Sequence, residues 1–283
     1  MTLQTPPPVG IHYGVPADVY HGWPAVSNSW LSKLRSSPAH LADLIEHGST
    51  PSTAAQDFGT AVHCAVLEPD TFKDRYAIRP EEMNGTTKAG RAFKEAADEA
   101  GQIVLGFEDY ARIQAIGFRV KTNRTLWDWL GRDHQTEVSL VWKRDGYFCR
   151  ARADLVIPEL NIIADLKTTI TASREGFARQ VAKYHYHTQA AWYCEGMRAL
   201  TGEEWRFCFI AVEKRRPYLV SLHELMPGSA AHGAAIADMD RLFEEYKRCI
   251  VAQDWPGYGD MFEIELPAWA LTVSDAGDEE PFD

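Results

Sequence analysis

The chain has 283 residues, 45% of them hydrophobic and 24% charged, enough to bury one large core or two small ones. Its formal net charge of -11 speaks against a purely electrostatic nucleic-acid binder but leaves room for a local basic groove. Cys64, Cys149, Cys194, Cys208 and Cys249 are scattered without a Cys-x-x-Cys pair, which argues against structural zinc, an iron-sulfur cluster and a disulfide framework. The opening MTLQTPPPVG has neither a basic nor an apolar leader region, and no apolar run approaches bilayer length, so a cytoplasmic protein is expected.

In chain order, residues 1–10 read as a flexible Pro-rich lead and 11–20 as a turn-rich aromatic stretch, together a flexible arm over 1–26. Ser27 or Asn28 caps a short helix over 29–34, and a second short helix covers 40–46. Residues 53–68 form a helix whose small side chains around Gly59 permit close approach to a neighbour, with His63 one turn further on. A lone helical histidine is more often a core residue than a ligand, and periodicity does not say which face His63 meets. The polar stretch 74–90, with its Asn84-Gly85 turn, reads as a mobile loop, followed by helices over 91–100 and 107–130. Trp127, Trp129 and Leu130 read as core; Lys121, Arg124 and Arg132 read as a basic, mainly solvated edge.

Strand alternation then sets in. Residues 136–143 alternate, and Asp145-Gly146 is a strong hairpin signal that puts Glu137 opposite Asp154. Two β-branched runs, 155–157 and 161–164, flank a second turn; with Glu159 and Leu160 as its loop, Asp154 faces Asp165 and Arg152 faces Lys167. Opposed residues on paired strands share a face, so one meander carries Glu137, Asp154, Asp165 and Lys167 in a row, provided no bulge shifts it. Two adjacent carboxylates raise each other's pKa unless a cation sits between them, and a divalent metal is an economical cation. An ammonium beside such a metal can orient a water and offset charge developing on a phosphate. An isolated Asp-x-Lys is weak, but the strand around Asp165 is apolar on both faces, as a central strand is.

Helices follow over 173–183 and 188–200, the latter with Gln189 and Tyr193 on one face. His185 and His187 have the spacing of metal ligands on a strand but fall between helices, which weighs against that role. Strands over 204–212 and 218–223 flank the basic turn 214–217, and a long helix covers 230–252 with Met239, Leu242, Phe243 and Tyr246 on one side. Residues 273–283 form an acidic tail, read as disordered, containing Asp275, Asp278, Glu279, Glu280 and Asp283.

The ordered set His63, Glu137, Asp154, Asp165-Leu166-Lys167 and Gln189-x-x-x-Tyr193 resembles the PD-(D/E)xK nuclease superfamily, in its RecB-like and RecE-like branch. SNSWLSKLRSSPAHL followed by FGTAVHCAVLEP is similar to the C-terminal domain of RecE-type exonucleases of phages and prophages, and the likeness spans about 27–252. It implies an α/β fold, a mixed central β-sheet with an antiparallel meander flanked by helices, as one nuclease domain over 27–272. It further implies a Mg2+-dependent exonuclease, with Mn2+ able to substitute, that degrades double-stranded DNA 5′ to 3′ in recombination and leaves 3′ single strands. By resemblance His63, Asp154 and Asp165 are metal ligands, joined by the Leu166 carbonyl; Lys167 orients the attacking water and Glu137 assists. Gln189, Tyr193 and Arg152 contact DNA or brace the site. Ala153 departs from the name-giving proline of the motif. A ring-shaped homo-oligomer and a single-strand annealing partner are also implied. The alternatives on the same fold are a structure-selective endonuclease and a catalytically silent DNA-end-binding subunit.

Overall fold

A computed structural model of the chain describes residues 7–48 and 53–266. Its centre is a six-stranded sheet in the order β1-β4-β5-β6-β7-β8. The strands are β1 (Gly10–His12), β4 (Gln135–Arg144), β5 (Tyr147–Ile157), β6 (Ile162–Thr169), β7 (Arg206–Glu213) and β8 (Val220–Leu225). All neighbours are antiparallel except β6 and β7, which run parallel with α9 (Arg174–Lys183) and α10 (Tyr186–Thr201) in the connection. The expected mixed sheet with an antiparallel meander is therefore present.

β7 shows why it lies inside. Phe207, Phe209 and Ala211 enter one buried cluster while Cys208, Ile210 and Val212 enter another, as side chains alternate across a strand covered on both faces. The first cluster is completed by α2 (Asn28–Ser36), α3 (Pro38–His47), α10 and α11 (Ala230–Ala252), and the second by α4 (Ala54–Leu67), α7 (Phe107–Thr122) and α8 (Arg124–Gly131). Close packing in the first cluster depends on Gly196 of α10, where a Cβ would come within 2.8 Å of the Trp142 ring.

Several expectations are corrected. The arm is ordered over its described part: β1 pairs with β4, and α1 (Ala17–Gly22) buries Tyr20. The stretch expected as a mobile loop contains β2 (Tyr76–Arg79), preceded by α5 (Phe72–Arg75), and β2 pairs in parallel with β3 (Ile103–Gly106) on either side of α6 (Lys88–Glu99). The expected helix over 107–130 is broken by Asn123, whose side chain caps α8 through the Leu126 amide. Trp127 is 64% exposed, so only Trp129 of that pair is core. Among the expected basic residues Arg132 is ion-paired to Asp128 and Glu159. The acidic tail lies outside the described residues.

Candidate active site

The β4–β5 hairpin turns through Asp145 and Gly146, both at positive φ (48° and 85°), as a type I′ turn requires. The expected register holds on both sides of Glu137: Val138 pairs with Ala153 and Thr136 with Leu155. Glu137 lies in the gap between these pairs at φ 52°, a left-handed conformation uncommon for glutamate, and Asp154 stands opposite without a ladder partner. The local backbone thus leaves the ladder where the two carboxylates meet.

The β5–β6 turn is a 3₁₀ segment, Pro158–Leu160, closed by Asn161 in the left-handed region, and it sets Ile157 opposite Ile162 as expected. The ladder ends at Leu155 and Ala164. Asp154 and Asp165 are therefore not a ladder pair, nor are Arg152 and Lys167, which corrects the continuous row expected from the hairpin pattern. The Asp154 carboxylate takes the place of the backbone acceptor: Leu166 N donates to its Oδ2 at 2.9 Å. Leu166 thus reaches the carboxylate through its amide. β6 runs beside β7 along its whole length, with Asp165 paired to Phe209 and Lys167 to Ala211.

Packing of α4 on this opening supplies the histidine. A Cβ at Gly59 would stand 3.3 Å from Thr168 Oγ1 of β6, and that close approach lets His63 reach the carboxylates. His63 Nε2 lies 3.1 Å from Asp154 Oδ2 and 3.4 Å from Glu137 Oε1. One ligand atom from each of His63, Glu137 and Asp154 falls within 4.8 Å of the others. Neighbouring ligands on an octahedral ion with bonds of about 2.1 Å lie roughly 3 Å apart, so the two histidine contacts have the spacing of a shared ion. Carboxylate donors suit hard divalent cations, and an imidazole beside them suits softer ones, so the set fits a divalent ion.

Asp165, 2% exposed, stands beside this group. Its Oδ1 accepts from Gln189 Nε2 at 2.6 Å, while Oδ2 has Lys167 Nζ at 2.6 Å yet no well-aligned hydrogen bond. A buried carboxylate oxygen left in that state is what an additional cation would satisfy. Lys167 Nζ also lies 4.9 Å from the Tyr186 ring centroid. Arg152 braces the wall: Nη1 is 3.6 Å from Glu137 Oε2, Nε donates to Ser139 Oγ, and Nη2 donates to the Val15 carbonyl. Tyr193 lines the same cavity and packs edge-on against Phe207.

Electrostatics divides the carboxylates. Burial and then Asp154 push Asp165 up to about 6, against the pull of Lys167. Asp154 is also buried, but His63 and Lys167 hold it below the usual carboxylate range. Burial raises Glu137, with His63 opposing. Burial alone would lower His63; Asp154, Glu137 and Asp165 outweigh it and carry the imidazole up to about 9. Lys167 likewise stays above its ordinary value despite burial, held there by Asp165 and Asp154. Protonated His63 therefore occupies, in electrostatic terms, the place of the cation expected between the acids.

Residues 27–265 match the family described as a PDDEXK-like domain of unknown function (DUF3799). The chain belongs to this PDDEXK-like family. Its fold is also that of the solved structure of "Putative exonuclease" from Eubacterium rectale, with TM-score 0.62 and 15% identity over 92% of this chain and 99% of that one. A phage related exonuclease from Haemophilus somnus 129PT aligns at 13% identity over 81% of this chain and 96% of that one, with TM-score 0.34. No curated protein sequence matches the chain. Within the PDDEXK-like domain, His63, Glu137, Asp154, Gln189 and Tyr193 line a single cavity of about 420 Å³.

His185 and His187 also lie with an acid, Asp238, within 4.8 Å. That carboxylate is taken by Arg35, Arg241 and Thr188, so the histidines face a neutralised acid. Sequence reasoning missed Tyr20, His21 and Arg150, which line the cavity beside the acids. The aromatic residues of the arm were the available signal, since exposed loops seldom carry so many.

Proposed function

We propose that this chain is a divalent-metal-dependent deoxyribonuclease that degrades duplex DNA from its ends, 5′ to 3′, leaving 3′ single strands for recombination. The observation that carries the reading is the convergence of His63 from α4, Glu137 from β4, Asp154 from β5 and the Asp165-Lys167 pair from β6. His63, Glu137 and Asp154 would hold the ion, with Asp165 at its edge. A bound divalent cation supplies Lewis-acid stabilisation of a phosphate and acidifies water. The protein's own part is positional: the Lys167 ammonium, fixed by Asp165, orients the attacking water and offsets charge on the phosphate oxygens. Gln189 fixes Asp165 from the opposite side. A P–O bond forms from the water oxygen as the bond to the leaving sugar oxygen breaks; one proton leaves the water and one is taken up by the leaving oxygen.

Mg2+ as the working ion, with Mn2+ able to replace it, a ring-shaped homo-oligomer and an annealing protein as partner belong to the same proposal. The test is digestion of linear and covalently closed duplex with Mg2+, with Mn2+ and with EDTA, using labels at either end. Metal-dependent loss of the 5′ label from linear duplex alone is expected. Cutting of closed circles makes the enzyme an endonuclease, and no cutting with either metal removes the hydrolytic reading.

A further inference from the structure

The cavity has a second wall that hydrolysis does not use. Arg150, on the same strand as Asp154, is 4% exposed and lines that cavity. Its Nη1 donates to the Tyr20 carbonyl, its guanidinium carbon lies 4.8 Å from the Tyr20 ring centroid, and its Nε is buried with no hydrogen-bond partner. Among the described residues no carboxylate pairs with it; the charged group that acts on it is Arg152, whose guanidinium carbon lies 4.4 Å from the same Tyr20 ring centroid. A guanidinium does not shed its proton, so a buried one without an acid calls for an anion from outside.

The backbone brings a second donor array to the same place. Arg150 N donates to Val26 O at 2.7 Å and Val26 N to Phe148 O at 2.8 Å, which sets the start of α2 against β5. Ser27, Asn28 and Ser29 consequently line the cavity with Arg150, and the Ser27 and Ser29 hydroxyls are 2.8 Å apart. The first amides of a helix have no intrahelical acceptor and carry the positive end of its dipole.

We propose that Arg150 and the first turn of α2 bind a phosphate group of the substrate strand other than the one being hydrolysed. The identity of the ligand rests on the nuclease reading; the donor set itself calls for a tetrahedral oxyanion. That phosphate is a strand terminus, with three non-bridging oxygens, or an internal diester, with two, and either can accept from these donors.

Binding is measured in EDTA, so that hydrolysis plays no part, on the full chain and on Arg150→Gln and Asn28→Asp. Asn28→Asp is isosteric and places a carboxylate at a helix N-terminus beside an uncompensated guanidinium, so it should melt no lower than wild type. Inorganic phosphate should raise the melting temperature of wild type and of neither variant, and anisotropy should show duplex affinity reduced about tenfold or more in both. A terminal site gives wild type a preference for 5′-phosphate over 5′-hydroxyl ends that both variants lose. An internal diester gives equal affinity for both ends and equal loss in the variants. Unchanged phosphate stabilisation and duplex affinity in the two variants overturn the proposal. Phosphate binding kept by a wild type that cleaves nothing with metal supports this site and overturns the hydrolytic reading.

Discussion

Among the described residues two groups of histidine and carboxylate have their ligand atoms within 4.8 Å of one another, and they differ in what competes for the acid. Asp238 accepts from both terminal nitrogens of Arg35, from Arg241 and from Thr188, which hold its pKa well below the usual range once burial is overcome. Asp154 accepts one amide and faces His63. A guanidinium keeps its charge and cannot itself become a ligand, whereas an imidazolium can give up its proton and bind a metal. The number of donor atoms is the same at the two places. On the proposed reading, the lability of the counterion separates a metal centre from a structural clasp.

That contrast can be broken most directly by substitution. Asp154→Ala and Asp165→Ala should each lower DNA cleavage by about 10³-fold or more, with the melting temperature of Asp165→Ala close to wild type. Asp238→Asn should leave cleavage within about threefold of wild type. A comparable loss at Asp238 would move the metal to the other cluster.

Stability reverses the order. Asp238→Asn leaves Arg35 without its bidentate partner and should cost roughly 2 to 4 kcal/mol in denaturant unfolding. Because the folded pKa of Asp238 is depressed, its contribution is present above its ordinary pKa of 3.8 and is lost as the pH falls through the folded value. A wild type and Asp238→Asn of equal stability at pH 7 would contradict the clasp.

His63 supplies a dependence of opposite sign. In metal-free protein its folded pKa of about 9 exceeds its ordinary 6.5, so protonation stabilises the fold fully below 6.5 and that contribution is lost as the pH rises through 9. The difference between wild type and His63→Gln should shrink over that window by on the order of 2 to 3 kcal/mol. Thermal melts in EDTA at stepped pH measure it, and a constant difference would show His63 neutral throughout.

The smallest effect is the most specific to the metal centre. Mn2+ binding at pH 7.5, followed by calorimetry in buffers of different ionisation enthalpy, should release about one proton in wild type and none in His63→Gln. Equal release in both would place the proton on another group, with Asp165 the nearest.

The register of both hairpins was legible in the sequence because Asp145-Gly146 and the 158–161 turn admit few geometries and each fixes which residues oppose. The central position of β6 was legible for a similar reason, since apolar side chains on both faces have no solvated alternative. The continuous row of acids failed where a side chain replaced the backbone: Asp154 accepts the Leu166 amide and lets β5 and β6 part. The Glu137 backbone at φ 52° likewise leaves no trace in a pattern of alternating residues.

By itself, then, the sequence determined the strands β4 to β8, the turn-set register of the β4–β5 and β5–β6 hairpins, and the acids and lysine of the cluster, because those follow from local periodicity and turn chemistry. Only the tertiary structure decided which histidine meets the acids. His63 and His185 both sit at helical or near-helical positions with no local signature of their partners. Their roles are set by α4 packing Gly59 against Thr168 and by Arg35 reaching Asp238 across the fold. Side-chain electrostatics at such places depends on contacts between residues far apart in the chain, which no local pattern encodes.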